Sequence, residues 1–267
     1  MKKTLLSIFS IVTLVMGVSS CNKDAKEENI GFTASMEACV DQESKTVLDG
    51  VHVNWVANDQ IIIYGSEGSG IFTAVPHTDN PTIADLTNGT ANPGSAKYSA
   101  FYPVEIARGN HQFTMNAVQT SEDGSLTEFP MYAESDERNI AFKNIFGALK
   151  INLQSATLPA VKAIEISVSS DIRNKDLNGI YTIRQYGAAP TIRLDANGSK
   201  TTRLEMTTAQ DITNGHDFYI AMPHASYVGL QIRVYDEMDN LIATKTLKAG
   251  RSLYIGRSQV TNINLSL

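Results

Sequence analysis

The chain has 267 residues, 22 of them Lys or Arg and 28 Asp or Glu, for a formal net charge of −6, with 42% hydrophobic and 19% charged residues. That apolar content supports a folded core and argues against disorder. The acidic balance, about −8 once residues 1–20 and their two lysines are set aside, argues against a nucleic-acid partner. At roughly 100–150 residues per core the length fits two modest domains, neither of which requires a disulfide or metal staple.

Residues 1–20 have the anatomy of a secretory signal: Lys2 and Lys3, an apolar run from Leu5 to Val18, then small residues before Cys21. The run is too short for a bilayer core, which takes roughly 20 residues. Val18-Ser19-Ser20-Cys21 resembles a bacterial lipobox, so Cys21 is the expected lipidation site and the export signal is expected to be removed. The competing reading is an ordinary cleavage nearby that leaves Cys21 a free thiol. Residues 21–30, polar and charged from Asn22 to Asn29, read as a flexible tether. Cys39 is the other cysteine. It has no disulfide partner once Cys21 is acylated, and within ten residues only Lys45 could activate its thiol.

From Gly31 onward, short apolar runs are separated by Gly, Asn, Asp and Pro, and no sustained 3.6-residue period appears, so the chain reads as all-β. In residues 31–40, Phe32, Ala34, Met36, Ala38 and Val40 alternate with Thr33, Ser35, Glu37 and Cys39, the pattern of a half-buried strand. Asp49-Gly50 marks a turn between strands at 46–48 and 51–56, and the continuous Ile61-Ile62-Ile63-Tyr64 suits a buried strand. Further strands are expected at 70–75, 82–86 and 97–103. A loop-rich stretch follows from 119 to 135, and then one strand over 141–153. The spacing places a first domain at 31–138 and a second at 139–267. In the second, strands are expected at 163–168, 179–185, 191–194, 202–206, 217–222, 228–235, 241–247 and 259–267. Regular turn signals favour sandwiches over a barrel with a large lumen.

No residue set points to catalysis. His52, His77, His111, His216 and His224 are scattered without zinc-ligand spacing. The glycine-rich run at 65–70 lacks the Lys-Ser/Thr that holds phosphate and leads into a strand. Asp171, Asn174, Asp176 and Asn178 offer oxygen ligands without the EF-hand pattern, so a polar loop is the plainer reading. No carboxylate pair, nucleophile elbow or triad order stands out, and the expectation is no enzyme, no metal and no cofactor. Trp55 alternates with Val51 and Val53, which favours a core position over a sugar platform.

Several segments in order resemble the fimbrillin family of Bacteroidales surface lipoproteins. They are Ser44-Lys45-Thr46-Val47-Leu48, then Val53-Asn54-Trp55-Val56-Ala57-Asn58-Asp59-Gln60-Ile61 with Asn58 where the family usually has Gly, then Phe101-Tyr102-Pro103 and Pro130-Met131-Tyr132-Ala133. Residues 142–153, Gly179-Ile180-Tyr181-Thr182-Ile183, Phe218-Tyr219-Ile220-Ala221-Met222-Pro223 and Lys248-Ala249-Gly250-Arg251-Ser252-Leu253-Tyr254 continue the series. The Lys-plus-acid cluster after Cys21 resembles a surface-export signal of such lipoproteins.

The resemblance implies two tandem transthyretin-like Greek-key β-sandwich domains without catalytic residues. The subunit would be anchored in the outer membrane through lipid on Cys21, assemble with other fimbrial subunits, and contribute to adhesion to a host or bacterial surface ligand. In the implied assembly a trypsin-like protease removes the first strand, here 31–40, and a strand from another subunit, for which 259–267 is the candidate, refills the groove. The first arginine is Arg108, well inside the first domain, so Lys45 is the expected processing position. Two alternatives stay open. Both strands remain in their own sheets, or the chain is a monomeric surface lipoprotein that binds a glycan or protein.

Overall fold

A computed structural model describes residues 31–38, 40–41, 54–95, 97–126, 129–185, 187, 189–248 and 250–267. The first half supplies β1 (Phe32–Met36), β2 (Val40–Asp41), β3 (Gln60–Gly65), β4 (Gly68–Pro76), β5 (Ile83–Thr87), β6 (Tyr98–Tyr102), β7 (Gln112–Met115), β8 (Val118–Ser121), β9 (Met131–Ser135) and β10 (Asn139–Asn144). The second supplies β11 (Gly147–Gln154), β12 (Val161–Ser167), β13 (Asn178–Gln185), β14 (Thr191–Ser199), β15 (Thr201–Gln210), β16 (His216–Met222), β17 (Ala225–Val228), β18 (Gln231–Tyr235), β19 (Leu241–Thr246), β20 (Ser252–Ile255) and β21 (Gln259–Ser266). The protein is all-β, as its alternating pattern requires.

Seven strands, in the order β1-β10-β9-β6-β3-β4-β5, close into a barrel. Its interior is filled, with Phe32, Trp55, Phe72, Tyr98, Tyr102 and Phe142 in one apolar cluster. Trp55 sits edge-on to Tyr102 at 5.2 Å and to Phe142 at 5.5 Å, so it is a core residue. The turn that delivers it explains one departure in the sequence: Asn58 has φ 78°, a left-handed conformation that glycine adopts freely and asparagine tolerates. The Asp59 carboxylate accepts the Val56 N–H at 2.8 Å and holds that turn.

The second half is a sandwich. One sheet, ordered β16-β11-β21-β2, faces another ordered β19-β18-β12-β15-β8. Leu149, Ile151 and Leu153 of β11 and Phe218 and Ile220 of β16 meet Ile164 and Ile166 of β12, Leu204 of β15 and Ile232 of β18 between them. The opposite face of β11 and β16 is also buried. Ala148, Tyr219 and Ala221 join a second cluster with Phe101 and Tyr132 from the outside of the barrel, Phe113 of β7, Phe146 and Tyr181. Phe113 stacks on Tyr181 at 5.5 Å and tilts against Phe101 at 5.8 Å. This aromatic cluster bonds the barrel to the sandwich.

The chain crosses the same seam. β7 pairs with β13 in a sheet ordered β14-β13-β7, and β8 pairs in parallel with β15. Gln119 on β8 works as a side-chain peptide, donating to Ala221 O and accepting from Ala221 N, both at 2.9 Å.

Several local expectations differ from the structure: residues 54–56, expected as the end of a strand, are irregular, and the expected strand at 46–48 lies outside the described residues. The segment 141–153 is two strands, because the chain turns at Ile145-Phe146 to pass from barrel to sandwich. A Cβ at Gly147 would lie 2.0 Å from Gly256 O, so only glycine permits that approach. The segment 228–235 breaks at Gly229, φ 65°, into β17 and β18. Within the stretch 119–135, β9 is a strand whose Met131, Tyr132 and Ala133 are all buried, which removes the alternation that would have marked it.

Phe113 is central to the seam and fully buried. Phe113→Ala is expected to cost about 3–5 kcal/mol, read as a lowered urea midpoint in equilibrium unfolding followed by tyrosine and tryptophan fluorescence.

Candidate functional site

β1 is the strand that closes the barrel. It runs antiparallel to β5, with Phe32 opposite Leu86 and Ser35 opposite Ile83, and parallel to β10, with Thr33 opposite Asn139 and Met36 opposite Phe142. Phe32 and Ala34 point inward, and Phe32 sits edge-on to Phe72 at 5.1 Å and Tyr98 at 5.0 Å. Burying such a phenylalanine contributes about 1.5–3 kcal/mol. Thr33 N–H also reaches Arg138 O at 3.0 Å and Met36 N–H reaches Thr82 O at 3.0 Å, so both edges of β1 are bonded.

The expected strand over 31–40 is therefore two pieces. After Met36 the chain leaves the barrel, Ala38 is exposed, and the chain enters the other body of the protein as β2, with Val40 opposite Gln259 of β21. The cause lies at Glu37. Its carboxylate takes a bidentate fork from Arg257, Nη1 to Oε2 at 2.5 Å and Nη2 to Oε1 at 2.9 Å. Oε2 also accepts Ser258 Oγ at 2.9 Å and the Asn144 N–H at 2.9 Å. Asn144 Nδ2 donates to Glu37 O at 3.2 Å and to Ser258 Oγ at 3.0 Å, and Arg257 Nη1 reaches Asn144 O at 2.9 Å. One latch thus gathers the end of β1, the end of β10 and the turn that precedes β21.

Burial pushes the Glu37 carboxyl up, but the hydrogen bonds from Arg257 and Ser258, the Arg257 charge and the Asn144 amide outweigh it and hold the group below its ordinary value. β21 lies against β11 in parallel over its whole length, from Ala148 opposite Val260 to Gln154 opposite Ser266. Its other edge carries only β2 among the described residues, paired at Gln259 and Val260. The second and last strands are thus neighbours.

The remaining sequence candidates fall apart in space. Asp171 pairs with Arg173, Asp176 with Lys200 at 3.1 Å, Asn174 Nδ2 donates to Ser169 O and Val228 O, and Asn178 Nδ2 donates to Thr201 O. Each of the four side chains has a structural partner in the protein, and among the described residues no group of His, Cys, Asp and Glu converges as a metal site. The positions of Cys21, Cys39 and Lys45 lie outside the described residues.

Pattern reading missed a second feature. Tyr64 of β3 stands opposite Ser99 of β6, and Ser99 opposite Glu134 of β9, a row along the outside of the barrel. It forms part of the lining of a cleft of about 890 Å³, together with His111 and Lys97. Tyr132 donates to Glu134 Oε1 at 2.6 Å, and His111 Nδ1 lies 2.6 Å from the Tyr132 hydroxyl. Burial pushes the Tyr64 hydroxyl up.

No protein-family model matches the chain, and no curated protein does. Among solved structures, a candidate cell adhesion protein from Bacteroides ovatus has a TM-score of 0.52 to this chain at 9% identity, covering 90% of this chain and 92% of that one. The chain shares the fold of that protein. A candidate cell adhesion protein from Bacteroides fragilis has a TM-score of 0.44 at 8% identity over 88% of this chain and 92% of its own. The tip fimbrial protein Mfa3 from Porphyromonas gingivalis, with C-terminal truncation, has 0.34 at 10% over 88% and 95%. At 9% identity the likeness to the Bacteroides ovatus protein is one of fold alone.

Because the folded Glu37 carboxyl is held low, the latch contributes stability above the unfolded value of roughly 4.3 and loses it as pH falls through the lower folded value. Glu37→Gln is expected to lower the urea midpoint at pH 7 and to flatten its decline between pH 5 and pH 3 relative to the parent. Parallel pH profiles for the two proteins would show that the latch does not titrate with folding.

Proposed function

We propose that this chain is a structural subunit of a cell-surface fimbria. It is exported as a lipoprotein through Cys21, anchored in the outer membrane, and assembled with other fimbrial subunits by strand exchange after cleavage at Lys45. The role is architectural and adhesive, not catalytic. In this reading residues 1–20 are the export signal and 21–30 the tether; the two tandem transthyretin-like domains, expected at 31–138 and 139–267, meet a few residues later, at the Ile145-Phe146 turn, because β10 (Asn139–Asn144) belongs to the barrel.

The observation that carries the reading is the position of β1. It is a short strand, near the chain start, that alone bridges β10 and β5. Removing it would leave two unpaired strand edges beside an apolar slot floored by Phe72, Tyr98 and Phe142. Such a slot is refilled by any strand with alternating apolar residues, because main-chain bonds supply generic pairing and the pockets select the side chains. Cleavage after Lys45 would release β1 and β2 together, and with β2 gone β21 loses its second neighbour. One cut therefore opens an acceptor slot and bares the edge of a donor candidate, in which Ile263 and Leu265 alternate with Asn262 and Asn264.

A second reading, a monomeric surface lipoprotein binding a glycan or protein, is favoured by the cleft over Tyr64, Ser99 and Glu134.

The deciding measurement is the mature N-terminus of surface-recovered protein by mass spectrometry, with a mildly heated gel of the same sample. Fimbrial assembly predicts a start at Thr46 and a ladder of high-mass species, both abolished in Lys45→Ala. A lipidated start at Cys21 with a single monomer band would remove the polymerising role and leave an anchor subunit or a free-standing binding lipoprotein.

A further inference from the structure

The cleft outside the barrel has a composition that selects a ligand class. Its floor is the cross-strand row Tyr64, Ser99 and Glu134. This row lies next to Ile62, Phe101 and Tyr132, which pack into the aromatic cluster between barrel and sandwich. The floor therefore rests on a buried aromatic cluster, which preorganises it. Glu134 is held by Tyr132, and the Tyr132 hydroxyl in turn meets His111, so the carboxylate orientation is fixed by a chain of two short bonds. Ser99 Oγ and the Tyr64 hydroxyl make no hydrogen bond among the described residues, although Ser99 is only 5% exposed. Lys97 and Asp136 stand at the rim with opposite charges.

Each alternative ligand class meets an obstacle. A phosphate or other strong anion would face two carboxylates against one lysine. An apolar ligand would cover the Ser99 hydroxyl without a partner, at a cost of about 1–3 kcal/mol, and would turn an apolar surface on the Glu134 carboxylate. An uncharged polyol meets neither cost. Its hydroxyls donate to Glu134 and accept from Ser99, Tyr64 and Lys97, while the carbon face of a pyranose ring lies on the tyrosine. The volume, about 890 Å³, is within the range of roughly 300–1,000 Å³ for small-ligand pockets and leaves room for more than one ring.

We infer that this cleft binds a neutral oligosaccharide, with Tyr64 as the stacking platform and Ser99, Glu134 and Lys97 as the hydroxyl-reading groups. The inference rests on the adhesive part of the proposed function and is independent of strand exchange. The site lies on the outside of the barrel, away from the slot that β1 fills.

The test uses the uncleaved full chain on a printed array of neutral and sialylated oligosaccharides, with the strongest neutral binder then titrated by calorimetry. Saturable binding to neutral oligosaccharides is expected, weakened by at least about tenfold in Tyr64→Ala, a loss of about 1.4 kcal/mol. Lys97→Gly provides a variant that keeps the fold, since Lys97 has φ 66° and glycine relieves that conformation. It is expected to weaken binding by about threefold with an unchanged melting temperature, and it decides the matter if Tyr64→Ala unfolds. Failure to retain any neutral oligosaccharide, retention of sialylated ones alone, or affinity unchanged in both variants would overturn the inference. Because the readout is ligand binding by monomer, none of these outcomes bears on whether a gel ladder forms.

Discussion

The architecture depends on a single closure: a barrel of seven strands has no free edge only while β1 bridges β10 and β5. Without that strand the sheet is an open, strongly curved layer with its aromatic interior against water. The latch of Glu37, Arg257, Ser258 and Asn144 fixes where the closing strand ends and sends the chain across to the sandwich. An ion pair this close to solvent, with the arginine 17% and the glutamate 29% exposed, adds modest stability by itself. Its larger effect is geometric. A planar guanidinium held by both carboxylate oxygens permits one orientation of the chain, and that orientation places Val40 beside Gln259.

The same arrangement makes the two halves of the protein interdependent. β7 and β8 leave the barrel side to complete sheets of the sandwich side, and Phe101, Phe113, Phe146 and Tyr181 fill the space between them. A body welded in this way transmits load through packed side chains and not through a linker. That suits a subunit whose proposed work is to stand between neighbours in a filament. It also gives the outer face of the barrel a rigid backing, so the Tyr64, Ser99 and Glu134 row lies on a surface that does not need to reorganise.

Much of the fold was legible before any coordinates. Alternation at Phe32, Ala34 and Met36, and again at Leu149, Ile151 and Leu153, named the strands and their buried faces because the side-chain period of a strand is two. The buried position of Trp55 followed from the same rule. One strand buried on both faces escaped it: Met131, Tyr132 and Ala133 show no alternation because one neighbour packs inside the barrel and the other against the seam, whereas β6, buried throughout, was expected at 97–103. The latch was not legible at all. Glu37 and Arg257 are separated by 220 positions, and nothing local distinguishes them from other surface charges.

By itself the sequence determined the all-β class and the residues that face inward along most strands. These are properties of contiguous stretches, set by hydropathy, period and turn chemistry. Only the tertiary structure decided which strand closes the barrel, that β2 and the last strand are neighbours, and that Tyr64, Ser99 and Glu134 share one floor. Those facts depend on strand register, which is fixed by packing between segments far apart in the chain, where a shift of one residue would turn every side chain to the opposite face.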